Sequence, residues 1–259
     1  MGDSHVTKEE IRRGLRAVGL GEGYVVLMHS DLRTLAPARV LKSMPDYGMS
    51  ALIAGALEAI GKDGTLVMPT FTWDSFHDKE TVVFDVANTP SEVGSVTEFF
   101  RNMPGVIRSH HVCHSVAATG AHALDVMGDA IHPFGEGSTF DQLYRLDSWN
   151  LFLGVSFSVC TALHSVEELM QVPYRYYREF RGSAVLLPDG TEIPSRSVEF
   201  LRKQGCRNCF EKMEAVFARE GILRIGRVGS ARLINARIRD IVDVTKALVE
   251  KDPDFLVKE

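Results

Sequence analysis

Two short apolar runs on either side of a helical run constrain this chain most. Residues 24–29 read YVVLMH and residues 65–69 read TLVMP, both continuous and rich in β-formers. Such runs suit strands buried on both faces of a sheet. Between them residues 49–60, MSALIAGALEAI, are strongly helical, and Gly61 follows as a C-terminal cap. Strand, helix and strand make a parallel crossover unit. The expected class is therefore α/β, with a central, mostly parallel or mixed sheet flanked by helices.

The other segments extend that pattern. Thr7 precedes Glu10 by a capping-box spacing, so a helix is expected through IRRGLRAV, ended by Gly21 and Gly23. Pro90 and Ser91 introduce a helix ending near Phe100 and Arg101. Residues 108–120, RSHHVCHSVAATG, read as loop into strand, and WNLFLGV at 149–155 as another buried strand. SAVLLPDGTEIP is a hairpin-like pair turning at Asp189 and Gly190. Helices through FDQLYRL, LHSVEELMQ, NCFEKMEAVFARE and IRDIVDVTKALVEK complete the pass. With no repeat or interdomain linker, residues 1–259 are expected to form one domain.

Composition narrows the class of function. Apolar residues make up 45% and charged residues 24%, enough for a core and a solvated surface. The formal charge of −5, without clustered Lys and Arg, gives no footprint for nucleic acid and at most a slight pull on a cationic substrate. No apolar run approaches the ~18 residues of a membrane span. The opening MGDSHVTKEE lacks the basic-then-apolar order of a signal peptide. A cytoplasmic location is expected, with Cys113, Cys160, Cys206 and Cys209 reduced.

The sharpest chemical signal is T-x-x-H-x-x-E: Thr161, His164 and Glu167. Positions three apart share a helix face, so Glu167 can orient the His164 ring and stabilise its protonated form. Near a helix start the dipole disfavours imidazolium, leaving a neutral ring able to accept a proton. A general base requires that. The competing reading is an exposed His–Glu pair on an amphipathic helix. The position after an apolar strand, where α/β sites collect, favours chemistry.

Other features carry weaker signals. His110, His111 and His114 crowd into five residues. Zinc would need further ligands at standard spacing, which the chain does not offer, so no metal is expected. Cys113 beside His114 suggests a nucleophile, but neighbours on a strand face opposite sides. The plain reading is a polar loop with His111 or His114 packed and hydrogen-bonded. Cys206-x-x-Cys209 is one half-site without a partner, read as two ordinary thiols. FGEGS at 134–138 either brings backbone to a phosphate or pantetheine arm, or is a tight turn capped by Ser138. Trp73 and Phe76 either stack on a ligand or fill the core under their loop.

Taken in order, these segments resemble the antibiotic N-acetyltransferase family, which contains the aminoglycoside 3-N-acetyltransferases. The resemblance rests on MHSDLRTL at 28–35, ALIAGALEAIGKDGTLVMPTFTW, TPSEVGSVTEFFRNMPGVIRSHHVCHSVAATG, HPFGEGSTFDQLYRLD, LFLGV, TALHSVEE and GRVGSARL, and spans about residues 7–245. It implies an α/β fold, acetyl-CoA as donor, and direct transfer to an amine without an acyl-enzyme. It implies His164 as base, Glu167 as its orienter and Thr161 near the thioester carbonyl. The family's H-S-x-L maps onto His29, Ser30 and Leu32, near the pantetheine and pyrophosphate, with Arg33 as a phosphate partner. Ser109 and Ser115 join this cofactor set. Asp31, Trp73, Asp74 and Glu98 form the expected substrate set, and Asp147 is a further acid for cationic groups. Two departures bear on the acceptor. Val112 stands where the family's R-S-x-H-P has proline, and HDKETVVFD occupies the loop where the resistance enzymes carry an acid-rich stretch.

The expected partner is thus a small-molecule amine, an aminoglycoside or related amino sugar, with neither nucleic acid nor membrane; a homodimer is kept as an expectation. The rival functions are acetylation of a non-antibiotic amine, a hydrolase using Cys113 or Ser115, and a non-catalytic sugar or CoA binder. The hydrolase lacks a G-x-S-x-G elbow.

Overall fold

The computed structural model describes residues 6–258. Half of the leader reading (residues 1–5) and the last residue of the expected domain (259) lie outside the described residues. Helix α1 (Lys8–Ala17) starts at the expected capping box. Thr7 Oγ1 accepts from the Glu10 amide at 3.2 Å, and the Glu10 carboxylate accepts from the Thr7 amide at 2.8 Å. Such caps contribute about 1 kcal/mol. The helix ends at Val18, before the expected glycines; Gly23 instead donates to the Ile60 carbonyl.

Strand β1 (Val25–Ser30) leads through α2 (Ala38–Ser43) and α3 (Met49–Ile60) to β2 (Thr65–Pro69). The two strands are parallel, with Val25 opposite Thr65, and α3 closes on Gly61 at φ 70°. The TFTWDSF stretch, expected as a loop, contains the short α4 (Trp73–Phe76), which precedes β3 (Val83–Asp85). Helix α5 (Ser95–Arg101) begins later than Pro90–Ser91 suggested, because the Ser91 amide is taken by the Glu98 carboxylate at 2.6 Å. There follow β4 (Ile107–Arg108), β5 (Val116–Gly120), α6 (Thr139–Arg145), β6 (Trp149–Leu153) and α7 (Ala162–Leu169). The C-terminal third holds β7 (Arg175–Glu179), β8 (Ala184–Leu186), β9 (Glu192–Pro194), β10 (Val198–Arg202) and β11 (Arg207–Asn208). It closes with α8 (Met213–Arg219), β12 (Arg224–Val228), β13 (Ala231–Arg237), α9 (Ile238–Val249) and β14 (Val257–Lys258).

The main sheet has seven strands in the order β12-β13-β6-β1-β2-β5-β4. Its centre, β6-β1-β2, is parallel, and antiparallel strands flank it on both sides. The sheet is mixed, as the α/β reading allowed. Alternation along β1 explains its continuous apolar run. Val25 and Leu27 enter one layer with Phe140, Leu163, Val166 and Ile241. Val26 and Met28 enter the opposite layer with Ile11, Leu15, Leu52 and Phe100. A strand covered on both faces needs apolar residues at every position.

The hairpin of β8 and β9 turns at Gly190 as expected, and β3 joins it as a third strand. The antiparallel ribbon of β7 and β10 and the β12–β13 hairpin carry no clear sequence signal of their own. Among the described residues no helix is long and apolar enough to cross a membrane.

Phe152 ties the sheet to the ends of its central strands. It is fully buried, stacks on His29 at 5.3 Å between centroids and packs on Phe157 at 4.6 Å. Phe152→Ala is expected to lower unfolding free energy by about 3–5 kcal/mol, measured by urea denaturation. A loss below about 1 kcal/mol would contradict this packing.

Candidate active site

The carboxyl ends of β1, β2 and β6 open into one cavity of about 580 Å³. His29 and Ser30 reach it from β1, Phe71 and Trp73 from beyond β2, and Val155 to Thr161 from beyond β6. Gly154 makes the last turn possible. It sits at φ 69°, and a Cβ there would run into Thr34 Oγ1. The far wall is the ribbon of β7 and β10, through Arg175, Glu199, Phe200, Leu201 and Arg202.

His164 lies one turn into α7, with 19% of its side chain exposed. Phe134 and Phe210 flank its ring, each at 4.9 Å between centroids. Its Nδ1 meets Glu167 Oε2 at 2.5 Å. Arg175 Nη2 also lies 3.1 Å from Nδ1, but a guanidinium only donates, and a nitrogen that donates to Glu167 cannot accept from it. The shorter contact to a carboxylate decides the tautomer: Nδ1 carries the proton and Nε2 keeps its lone pair. Nε2 has no partner among the described residues, and the ring lines the cavity.

Glu167 is fully buried. Its Oε2 lies 2.8 Å from Arg175 Nε, and its Oε1 accepts from the Tyr174 hydroxyl at 2.9 Å. Burial alone would raise its carboxyl; attraction and hydrogen bonding to His164, then Arg175 and Tyr174, outweigh that and hold it below its ordinary range. For His164, burial and then the Arg175 charge lower the imidazole against the upward pull of Glu167. The ring is therefore neutral near pH 7. Arg202 lowers it further.

Three more polar atoms at the cavity wall are buried and unpartnered among the described residues: His29 Nε2, Ser30 Oγ and His114 Nδ1. Burial lowers His29 to about 4, so its ring is neutral. Unpaired buried polar groups are costly. Thr161 also lines the cavity, its hydroxyl held only by a long 3.3 Å bond to the Val159 carbonyl.

The remaining expected site residues lie elsewhere. Leu32 packs in the layer of α1 and α3. Arg33 is exposed and forks onto Asp31 at 2.9 and 2.8 Å, occupying both. Ser109 Oγ accepts from the Val116 amide, and Ser115 Oγ donates to the Thr70 carbonyl, each at 2.9 Å. Neither serine lines the cavity. Glu98 is clamped by Arg101 at 2.6 Å, and Asp147 pairs with Arg237 at 2.5 Å. Asp74 is exposed outside the lining, whereas Trp73 is 46% exposed within it. Phe76 fills the core, which separates the two aromatic residues of that loop.

The other motifs resolve as follows. His111 is structural: its Nδ1 accepts from the amides of Cys113 and His114, and its Nε2 faces the Val198 carbonyl. His110 lies on a separate cleft. Among the described residues no three His, Cys, Asp or Glu gather as a metal-ligand set. Burial pushes the Cys113 thiol well up, and it lies outside the cavity. Cys160 does line the cavity, but burial raises it to about 12, so it remains a thiol. Cys206 and Cys209 are free. FGEGS is a capped turn: Ser138 accepts from the Asp141 amide, and a Cβ on Gly135 would meet Glu168 Oε1 at 2.5 Å. Sequence reasoning missed Tyr174, Arg175, Glu199 and Arg202. The only trace of the first two was an aromatic and basic run, YRYYREFR, from residue 174.

A neutral, carboxylate-held histidine in an aromatic cavity suits proton transfer. The family model described as aminoglycoside 3-N-acetyltransferase matches residues 27–250. The chain belongs to the aminoglycoside 3-N-acetyltransferase family. It is thus an acetyltransferase. The aminoglycoside N(3)-acetyltransferase IV of a Salmonella species is 30% identical over 95% of this chain and 88% of its own. The SPbeta prophage-derived aminoglycoside N(3′)-acetyltransferase-like protein YokD of Bacillus subtilis is 26% identical over 92% and 90%. The solved apoenzyme of aminoglycoside acetyltransferase AAC(3)-IVa superposes with a TM-score of 0.78 at 28% identity, over 98% of this chain and 92% of that one. A variant of the same enzyme has been solved with a gentamicin bound.

The charges around the ring set its titration. By NMR the His164 midpoint is expected below 6.5, the ordinary value. Arg175→Gln removes a cation that disfavours imidazolium and should move the midpoint up. Glu167→Gln removes the anion that favours it and should move it down. Shifts of the opposite sign would refute this assignment of charges.

Proposed function

We propose that this chain transfers acetyl from acetyl-CoA directly to an amine of an amino sugar or aminoglycoside, with His164 as general base. The observation that carries this is the Nδ1–Glu167 contact, which leaves the lone pair on Nε2 of a ring that lines the cavity. The Nε2 atom takes a proton from the acceptor nitrogen, whose lone pair attacks the thioester carbonyl. The developing imidazolium is stabilised by Glu167. The Thr161 hydroxyl is free to turn from the Val159 carbonyl towards the oxyanion. Collapse of the tetrahedral intermediate breaks the C–S bond and releases CoA, whose sulfur recovers the proton. His29 Nε2 and Ser30 Oγ are the atoms suited to hold the amide-rich arm of acetyl-CoA, since both lack partners among the described residues.

Cys113 and Ser115 lie outside the cavity, which argues against the hydrolase. The curated relatives' names direct the first trials towards aminoglycosides, and their amino-sugar components complete the panel.

The test is release of free CoA across that panel, wild type against His164→Ala. A fall of ~100-fold or more in kcat is expected. Equal turnover in the variant would remove His164 as the base. A burst of CoA without an acceptor would refute direct transfer.

A further inference from the structure

The charges that face the cavity are unequally matched. Among the described residues Glu199 is the one carboxylate that lines it. Glu199 is already occupied: Oε2 pairs with Arg178 at 2.5 Å and Oε1 faces His77 Nδ1 at 3.4 Å. Glu167, behind the ring, is matched by Arg175. None of Asp31, Asp74 and Glu98 lines the cavity. An acceptor with several ammonium groups therefore finds no free carboxylate there.

Arg202 is the unmatched charge. It ends β10, opposite Arg175 in the ribbon register, and is exposed at the cavity wall. It has neither an acidic partner nor a hydrogen bond among the described residues. With each carboxylate cancelled by its own arginine, the cavity keeps one net positive charge from Arg202. A guanidinium at a cavity wall is suited to bidentate capture of phosphate or carboxylate.

We propose that Arg202 is an anion subsite and that the acceptor carries an acidic group, phosphate or carboxylate, beside its amine. The inference rests on His164 acting in acetyl transfer. Arg202 stands opposite Arg175 in the ribbon, and Arg175 Nη2 lies 3.1 Å from the His164 ring, where the amine must meet the thioester. The phosphates of CoA are separated from its thioester by the whole pantetheine arm, so the anion near the ring belongs to the acceptor.

The test compares glucosamine with glucosamine 6-phosphate, and a polycationic aminoglycoside with both, by calorimetric binding and by kcat/KM at saturating acetyl-CoA. Wild type is expected to prefer the phosphorylated sugar by at least about tenfold. Arg202→Gln should bring that ratio near one, and Arg202→Lys should keep part of it. The proposal is overturned if the ratio survives Arg202→Gln, or if wild type binds the polycation more tightly than the phosphorylated sugar. It is also overturned if the variant instead loses discrimination between acetyl-CoA and its 3′-dephospho form, which would give Arg202 to the nucleotide. A binding preference that vanishes in Arg202→Gln, with no CoA released by any sugar, supports the subsite and sinks the acetyl-transfer reading. The two failures are thereby separable.

Discussion

The buried carboxylate of Glu167 is the constraint on which the site depends. A charge removed from water costs several kcal/mol unless partners replace its hydration. Here three partners do so: His164 from the same helix, then Tyr174 and Arg175 from the chain just beyond it. Those contacts pin the end of α7 to the start of β7. Strand β7 carries β10, and β10 brings Glu199, Phe200, Leu201 and Arg202 to the cavity. The placement of the far wall thus follows from how one carboxylate is satisfied.

The same low-polarity setting governs the histidines. His29, His111 and His114 are all held below their ordinary range by burial, so neutral rings line or support the cavity. They differ in satisfaction. His111 has both nitrogens engaged, whereas His29 and His114 each keep one buried atom without a partner among the described residues.

Much of the fold was legible in the sequence because its signals are local. The runs at 24–29, 65–69 and 149–155 announced the parallel centre, since strands covered on both faces must be apolar throughout. The capping box at Thr7 and the turn at Gly190 were equally plain, each being set by a few adjacent residues. The His164–Glu167 contact was legible for the same reason, since helical spacing alone brings those side chains together. The β7–β10 ribbon was not, because its strands are half-exposed and pair across some twenty residues of other chain. Asp31 and Glu98 misled because an acid's identity does not reveal its partner; each is closed onto an arginine a few positions away.

By itself the sequence determined the α/β class, the parallel core and the paired histidine and glutamate, all consequences of periodicity over a few residues. Tertiary structure alone decided that Arg175 and Tyr174 complete the Glu167 pocket. It also decided that Cys113 and Ser115 lie outside the cavity lining and that Arg202, at the cavity wall, has no counter-ion among the described residues. These depend on which distant surfaces meet. Burial and charge pairing settle that only once the whole chain has packed.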